Sequence, residues 1–259
     1  MAFKRDELYM DTSSLIGSVS LLVLVVLGVV TKQIPATVIN FHSVFVVMGG
    51  VLVTMLINTP MKLFMRSLGA AKWLFAGTRE LENPETIITA VVQLAEQARS
   101  RGMMVMKDAD PNIGEGFLKR VATAAMEYND SKFVKEVIED EINKEMDAKG
   151  EIVNFYRTMG LLAPMFGLIG TLLGIINVLK ELSNPQTIGP SMALAISSAL
   201  YGIGFANMIC IPVAGKLRAK IWLETNVKGL ILTGILEIMK GSVPLVVERR
   251  LQVYLADKK

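Results

Sequence analysis

Charged residues leave four long stretches of this chain untouched and crowd into the rest. No Asp, Glu, Lys or Arg falls between Asp11 and Lys32, Lys32 and Lys62, Arg157 and Lys180, or Glu181 and Lys216. The apolar parts read LIGSVSLLVLVVLGVV, VFVVMGGVLVTMLI, TMGLLAPMFGLIGTLLGIINVL and MALAISSALYGIGFANMICIPVA. A helix needs about 20 mostly apolar residues to cross a bilayer. The pattern therefore predicts transmembrane helices over residues 13–31, 37–58, 158–179 and 188–214. The second is the least clean, because Asn40, His42 and Ser43 fall in its first half.

The segments between the spans read as helical. Asn83-Pro84-Glu85 has the form of a helix start, with a capping Asn, Pro at the first helical position and an acid in the first turn. The helix runs through IITAVVQLAEQARSRG and is expected to stop at Gly102. A second start is Asn129-Asp130-Ser131, followed by Val134, Val137, Ile138 and Ile142 at helical spacing. Past Lys216, Ile231, Leu232, Ile235, Ile238 and Met239 repeat the pattern, followed by Gly241, Pro244 and a final group at Val246, Val247, Leu251 and Leu255. No strand pattern and no internal repeat is present. The expected fold is all-α.

Lys and Arg near the span ends set orientation, because they are retained on the cytoplasmic side. Lys4 and Arg5 precede span one; Lys62, Arg66, Lys72 and Arg79 follow span two; Lys216, Arg218 and Lys220 follow span four. The opposite connections hold only Lys32 and Lys180. Both termini are therefore expected in the cytoplasm, with a tail over residues 1–12, a helical domain over 59–157 and a helical C-terminal tail over 215–259.

Composition agrees with this picture. The 259 residues are 52% hydrophobic and 20% charged, and mean hydropathy is +0.46. A net charge of +3 is too small to argue for a nucleic-acid partner. Cys210 is the sole cysteine, so it can form no internal disulfide, and its expected role is packing. No nucleophile–base pair, metal-ligand cluster or phosphate loop is visible, so the chain does not read as an enzyme and calls for no cofactor.

Spans three and four carry the chemistry. Ala163 and Gly167 are four apart, as are Gly170 and Gly174; Ser198, Gly202 and Ala206 share one face of span four. Small residues at this spacing let helix backbones approach closely in lipid, either against each other or against a further helix. Pro164 and Pro212 interrupt these spans, as static kinks or as hinges. Ion paths through membranes are marked by ionisable residues, yet no span holds a carboxylate or an amine. Thr171, Ser197, Ser198, Tyr201 and Asn207 offer only hydroxyls and an amide, and His42 lies near the outer end of its span. If an ion current passes here, another chain supplies the carboxylate.

The run Ala163-Pro164, Gly167, Gly170-Thr171 and Gly174 resembles the third-span signature of the MotA/TolQ/ExbB proton-channel family. Ala199-Leu200-Tyr201-Gly202, with Asn207 and Pro212, resembles the fourth span of its MotA/PomA branch. Gly234-Ile235-Leu236, Gly241, Pro244, Leu251 and Tyr254-Leu255 are similar to that branch's C-terminal helix, and Ala98-Arg99 with Gly102 to its cytoplasmic torque helix. The resemblance extends from about Leu15 to Leu255.

The resemblance implies a pentamer in the bacterial inner membrane around two copies of a single-span MotB/PomB-like partner carrying an intramembrane aspartate. Ion flow past that aspartate, gated by Pro164, Thr171, Ser198, Ala199 and Pro212, turns the ring. The cytoplasmic domain, with Arg99 and Lys107, then acts on FliG of the flagellar rotor. In this reading Gly167, Gly170, Gly174, Gly202 and Ala206 pack the helices. Two positions depart from the family. A glutamate usually stands eight residues after the arginine matched by Arg99, where this chain has Lys107. Sodium-driven relatives carry paired threonines at Ser198-Ala199, so the expected ion is H+. The competing reading is a TolQ/ExbB-like or gliding-motility subunit. The former usually has one span before its large cytoplasmic segment, whereas two are expected here.

Overall fold

The structure, a computed structural model, describes residues 12–33, 40–74, 83–180 and 185–258. Residues 1–11 of the expected N-terminal tail, with Lys4 and Arg5, residues 37–39 of span two and Arg79 lie outside them, and Thr12 opens the first helix. Among the described residues every regular element is a helix. Four helical stretches are long and apolar enough to cross a membrane: Thr12–Val30, Phe41–Asn58, and parts of Ser131–Lys180 and Ile188–Met239. The chain is a multi-pass membrane protein. It divides into two compact units, residues 1–77 with 150–218 and residues 78–149 with 219–259.

The first unit holds the apolar helices. Helix α1 (Thr12–Val30) buries none of its residues against the protein. A helix that is apolar on all faces and buries nothing against its own chain is one whose solvent is lipid. The second span is built from α2 (Phe41–Val44), a five-residue π-helical turn over Phe45–Gly49 and α3 (Gly50–Asn58). Asn40 caps its start: its side-chain oxygen accepts from the backbone N–H of His42 at 2.9 Å. Pro60, which lacks a donor, separates it from α4 (Met61–Ala70).

The second unit packs α5 (Pro84–Arg101), α6 (Phe117–Tyr128) and α10 (Pro244–Gln252) with segments of two long helices, α7 (Ser131–Lys180) and α9 (Ile211–Met239). Its core includes Val91, Phe117, Val121, Ile138, Ile231, Ile235 and Leu251. Helix α5 ends at Gly102, whose φ of 81° is a conformation that favours glycine. Asn83 stands at the N-cap of α5, but its side chain makes no capping bond. Asp130, by contrast, accepts from the backbone N–H of Lys132 at 2.9 Å and opens α7.

Helix α7 runs for 50 residues, so the end expected for the cytoplasmic domain at residue 157 and the start expected for span three at 158 lie within one helix. Neither of the prolines expected to kink or hinge spans three and four ends its helix. Pro164 lies inside α7. Pro212 lies in α9 directly after a π-helical turn over Ala206–Cys210, which joins α8 (Pro185–Phe205) to α9. A widened turn just before a proline accommodates its ring and missing donor without ending the helix.

Within the second unit, four charges close a ring between α7 and α9. Lys149 Nζ lies 2.9 Å from Glu145 and 2.5 Å from Glu224; Lys228 Nζ lies 2.5 Å from Glu145 and 2.7 Å from Glu224. Burial alone would raise the pKa of Glu145, but hydrogen bonds from Lys228 and Lys149 outweigh it and hold the carboxyl at about 2. Burial would likewise lower the pKa of Lys149, yet its bonds to Glu224 and Glu145 leave it raised. Phe117 stacks below, its ring centroid 5.6 Å from Lys228 Nζ.

Candidate functional site

The small residues of α7 and α8 meet in one antiparallel seam. A Cβ on Gly202 would lie 2.5 Å from the carbonyl oxygen of Ala163 and 3.0 Å from the Cα of Gly167. One on Gly167 would lie 2.9 Å from the Ser198 carbonyl oxygen and 3.3 Å from the Cα of Ala199. Further along, a Cβ on Gly170 would meet the Ser198 side chain at 2.5 Å, and one on Gly174 would meet Ala195 at 2.7 Å. At Gly167 and Gly202 the approach is of backbone to backbone, and at Gly170 it is of backbone to the Ser198 side chain, so a larger residue has no room.

One hydroxyl bridges the seam and two more meet backbone carbonyls beside it. Thr171 Oγ1 lies 2.9 Å from the carbonyl oxygen of Gly167 in its own helix and 3.0 Å from that of Ala195 across the seam. The Ser198 hydroxyl donates to Leu194 O at 2.9 Å, and the Ser43 hydroxyl reaches the same carbonyl from α2 at 3.1 Å. Each hydroxyl proton is thus held by a backbone carbonyl, while the oxygen lone pairs stay available as acceptors. Hydroxyl donation compensates polar backbone in a setting without water.

Comparison with known proteins identifies the family. Residues 110–228 match the model of the MotA/TolQ/ExbB proton channel family. The chain is 30% identical to the Bacillus subtilis (strain 168) protein YtxD over 92% of its own length and 88% of that relative's. The chain belongs to the MotA/TolQ/ExbB proton channel family. It is also 28% identical to the chemotaxis protein PomA of Vibrio alginolyticus, over 96% of this chain and 97% of PomA. In fold it is similar to the flagellar MotAB stator complex of Bacillus subtilis, with a TM-score of 0.86 and 24% identity over 96% of this chain and 97% of that one.

In this family member the expected site residues fall into four groups. Gly167, Gly170, Gly174 and Gly202 lie in the seam, with Ser198 buried between them. Pro164, Thr171 and Ala199 are half-buried at its edges. Ala206 is buried at the first position of the π-helical turn, and Pro212 stands exposed past it. Arg99 and Lys107 belong to the other unit. Arg99 is exposed in the last turn of α5 beside Arg101, where a cation complements the helix C-terminus. Lys107 is exposed on a short 3-10 turn over Met103–Asp108.

Three features of the seam escape the sequence reading. Ser43 and Gly50 of span two belong to it: Ser43 bonds Leu194, and a Cβ on Gly50 would run into the ring of Phe166. The signal was present, since two small residues seven apart lie on one helical face. The π-helical turn at Phe45–Gly49 has no proline near it and left no mark in the sequence.

Proposed function

We propose that this chain is the A subunit of a flagellar stator, which with a MotB/PomB-like single-span partner couples inward proton flow to rotation. One observation carries the reading: the seam of α7 and α8 offers hydroxyls and carbonyls but no acid or amine. A proton relay needs a titratable group, so the carboxylate must come from a partner helix, in keeping with the names of the relatives. The partner's aspartate would accept the proton against the edge marked by Pro164, Thr171 and Ala199. Its change of charge would alter how that helix sits against the seam. The ring assembly, the cytoplasmic termini, the inner-membrane location and the contact of Arg99 and Lys107 with FliG belong to the same reading and rest on the family resemblance.

The test is proton flux into vesicles. The chain alone should conduct nothing. Co-reconstitution with a single-span partner bearing an intramembrane Asp should produce flux, and Asp→Asn in that partner should abolish it. Flux from this chain by itself would overturn the division of labour.

A further inference from the structure

Helix α4 (Met61–Ala70) presents three separate stripes. Phe64, Ser67 and Ala70 are buried. Phe64 meets Phe155 edge to face, with ring centroids 5.5 Å apart, and the Tyr156 hydroxyl donates to the Ser67 carbonyl at 2.7 Å. Met61, Met65 and Leu68 form a second stripe that is 64%, 61% and 43% exposed. Lys62 and Arg66 form the third and are also exposed. At 3.6 residues per turn the apolar trio covers an arc of about 60°, and the two cations fill the arc beside it.

Its place in the chain fixes its depth. Only Thr59 and Pro60 separate α4 from the end of α3 at Asn58. The residues it packs on, Phe155 and Tyr156, adjoin Arg157, the last charge before the uncharged run of span three. A helix at the edge of the bilayer with an apolar stripe next to a basic one has the form of an interfacial helix. No Asp or Glu occurs between Asp11 and Glu80, and among the described residues neither Lys62 nor Arg66 forms a salt bridge.

We propose that α4 is a docking surface for anionic lipid headgroups. Met61, Met65 and Leu68 enter the acyl boundary, and Lys62 and Arg66 bind phosphates of the leaflet at which span two ends. This rests on the membrane-spanning reading of α3 and α7, and not on the stator reading. The buried stripe anchors α4 to α7 through Phe155 and Tyr156, so its outer stripes are held toward the bilayer and no ordering of the helix is needed on contact. Lys or Arg near an anionic surface contributes about 1 kcal/mol each, about a five-fold local enrichment of anionic lipid per cation.

The full chain is labelled with a bimane at Met65→Cys in a Cys210→Ala background. It is reconstituted in equimolar phosphatidylcholine and phosphatidylglycerol, with a spin label on one lipid or the other. Spin-labelled phosphatidylglycerol should quench several-fold more than spin-labelled phosphatidylcholine. Lys62→Gln with Arg66→Gln should make the two equal, whereas Lys62→Arg with Arg66→Lys should keep the preference. Should the Gln variant fail to fold, raising the salt concentration on the unaltered cations should shrink the preference in the same way. Equal quenching by both lipids, or a preference indifferent to salt, overturns the proposal. So does efficient quenching by aqueous iodide, which would put the stripe in water. Protection from both lipid and iodide also overturns it, because a second copy of the chain would then cover the stripe.

Discussion

Replacing Gly202 by alanine tests the seam directly. Its new Cβ would stand 2.5 Å from the Ala163 carbonyl oxygen and 3.0 Å from the Gly167 Cα, where ordinary contact begins at 3.4 Å. Both obstacles are backbone, so neither can rotate away, and α7 and α8 must separate locally by up to 0.9 Å (3.4 minus 2.5). Overpacking of this kind costs about 1–3 kcal/mol. It also lengthens the 3.0 Å approach of Thr171 to Ala195, a bond that is expensive to lose where water cannot replace it. Gly204, two residues on, has nothing within 4 Å of its own Cβ position. Gly204→Ala is therefore the matched control: the same helix and chemistry, with no clash and a gain in helix propensity. The assay is thermal unfolding of the purified full chain in detergent. A change of 1 kcal/mol moves the midpoint of a chain of this size by about 2–4 °C. Gly202→Ala should melt at least a few degrees below Gly204→Ala. Equal midpoints would show that the seam is not close-packed and would refute the reasoning.

The charge ring should make the second unit sensitive to acid. The Glu145 pKa is held at about 2 against an ordinary 4.5, so its stabilisation is present above about pH 4.5 and is lost as pH falls toward 2. Protease resistance of residues 131–149 and 219–239 should fall over that window, and indifference to it would count against the ring. Lys149→Met leaves Glu145 and Glu224 sharing Lys228. Breaking a buried pair costs about 3–5 kcal/mol, and the partial exposure of these side chains reduces that to about 1–2 kcal/mol. Thermal melting would measure it. Arg99→Glu should impair motility while the protein still inserts in the membrane; normal swimming would leave Arg99 as a helix-end cation only. Motor speed at fixed proton-motive force should not depend on sodium, because Ala199 lacks the hydroxyl that paired threonines supply, and a dehydrated cation of this kind needs about six oxygen ligands. Speed that rises and saturates with sodium would refute the Ala199 argument.

The sequence by itself determined which stretches meet lipid. Twenty uncharged residues have few places to be except a bilayer, so the four apolar stretches were legible without a structure. The ends of α5 and α7 were legible for a local reason as well: Gly102 takes a backbone angle that other residues avoid, and the Asp130 carboxylate satisfies a free helix N–H. Asn83 shows the limit of that logic, since the residue type was right and the bond was not made. The four-residue spacing showed that Gly167, Gly170, Gly174 and Gly202 had small faces, but periodicity fixes a face and not its partner.

Only the tertiary structure decided that these faces meet each other, that Ser43 and Gly50 join them, and that Pro212 is absorbed by a widened turn. It also decided that two separate Glu–Lys pairs four residues apart, Glu145–Lys149 and Glu224–Lys228, close into one ring. In α4 the Lys and Arg were readable as an orientation signal. The separation of buried, apolar and basic stripes was not, because Phe64 and Met65 are equally apolar on paper. Tertiary contact with Phe155 turns one inward and leaves the other facing out. Spacing along a chain specifies what a helix can bury, and the neighbour that buries it is a property of the assembled fold.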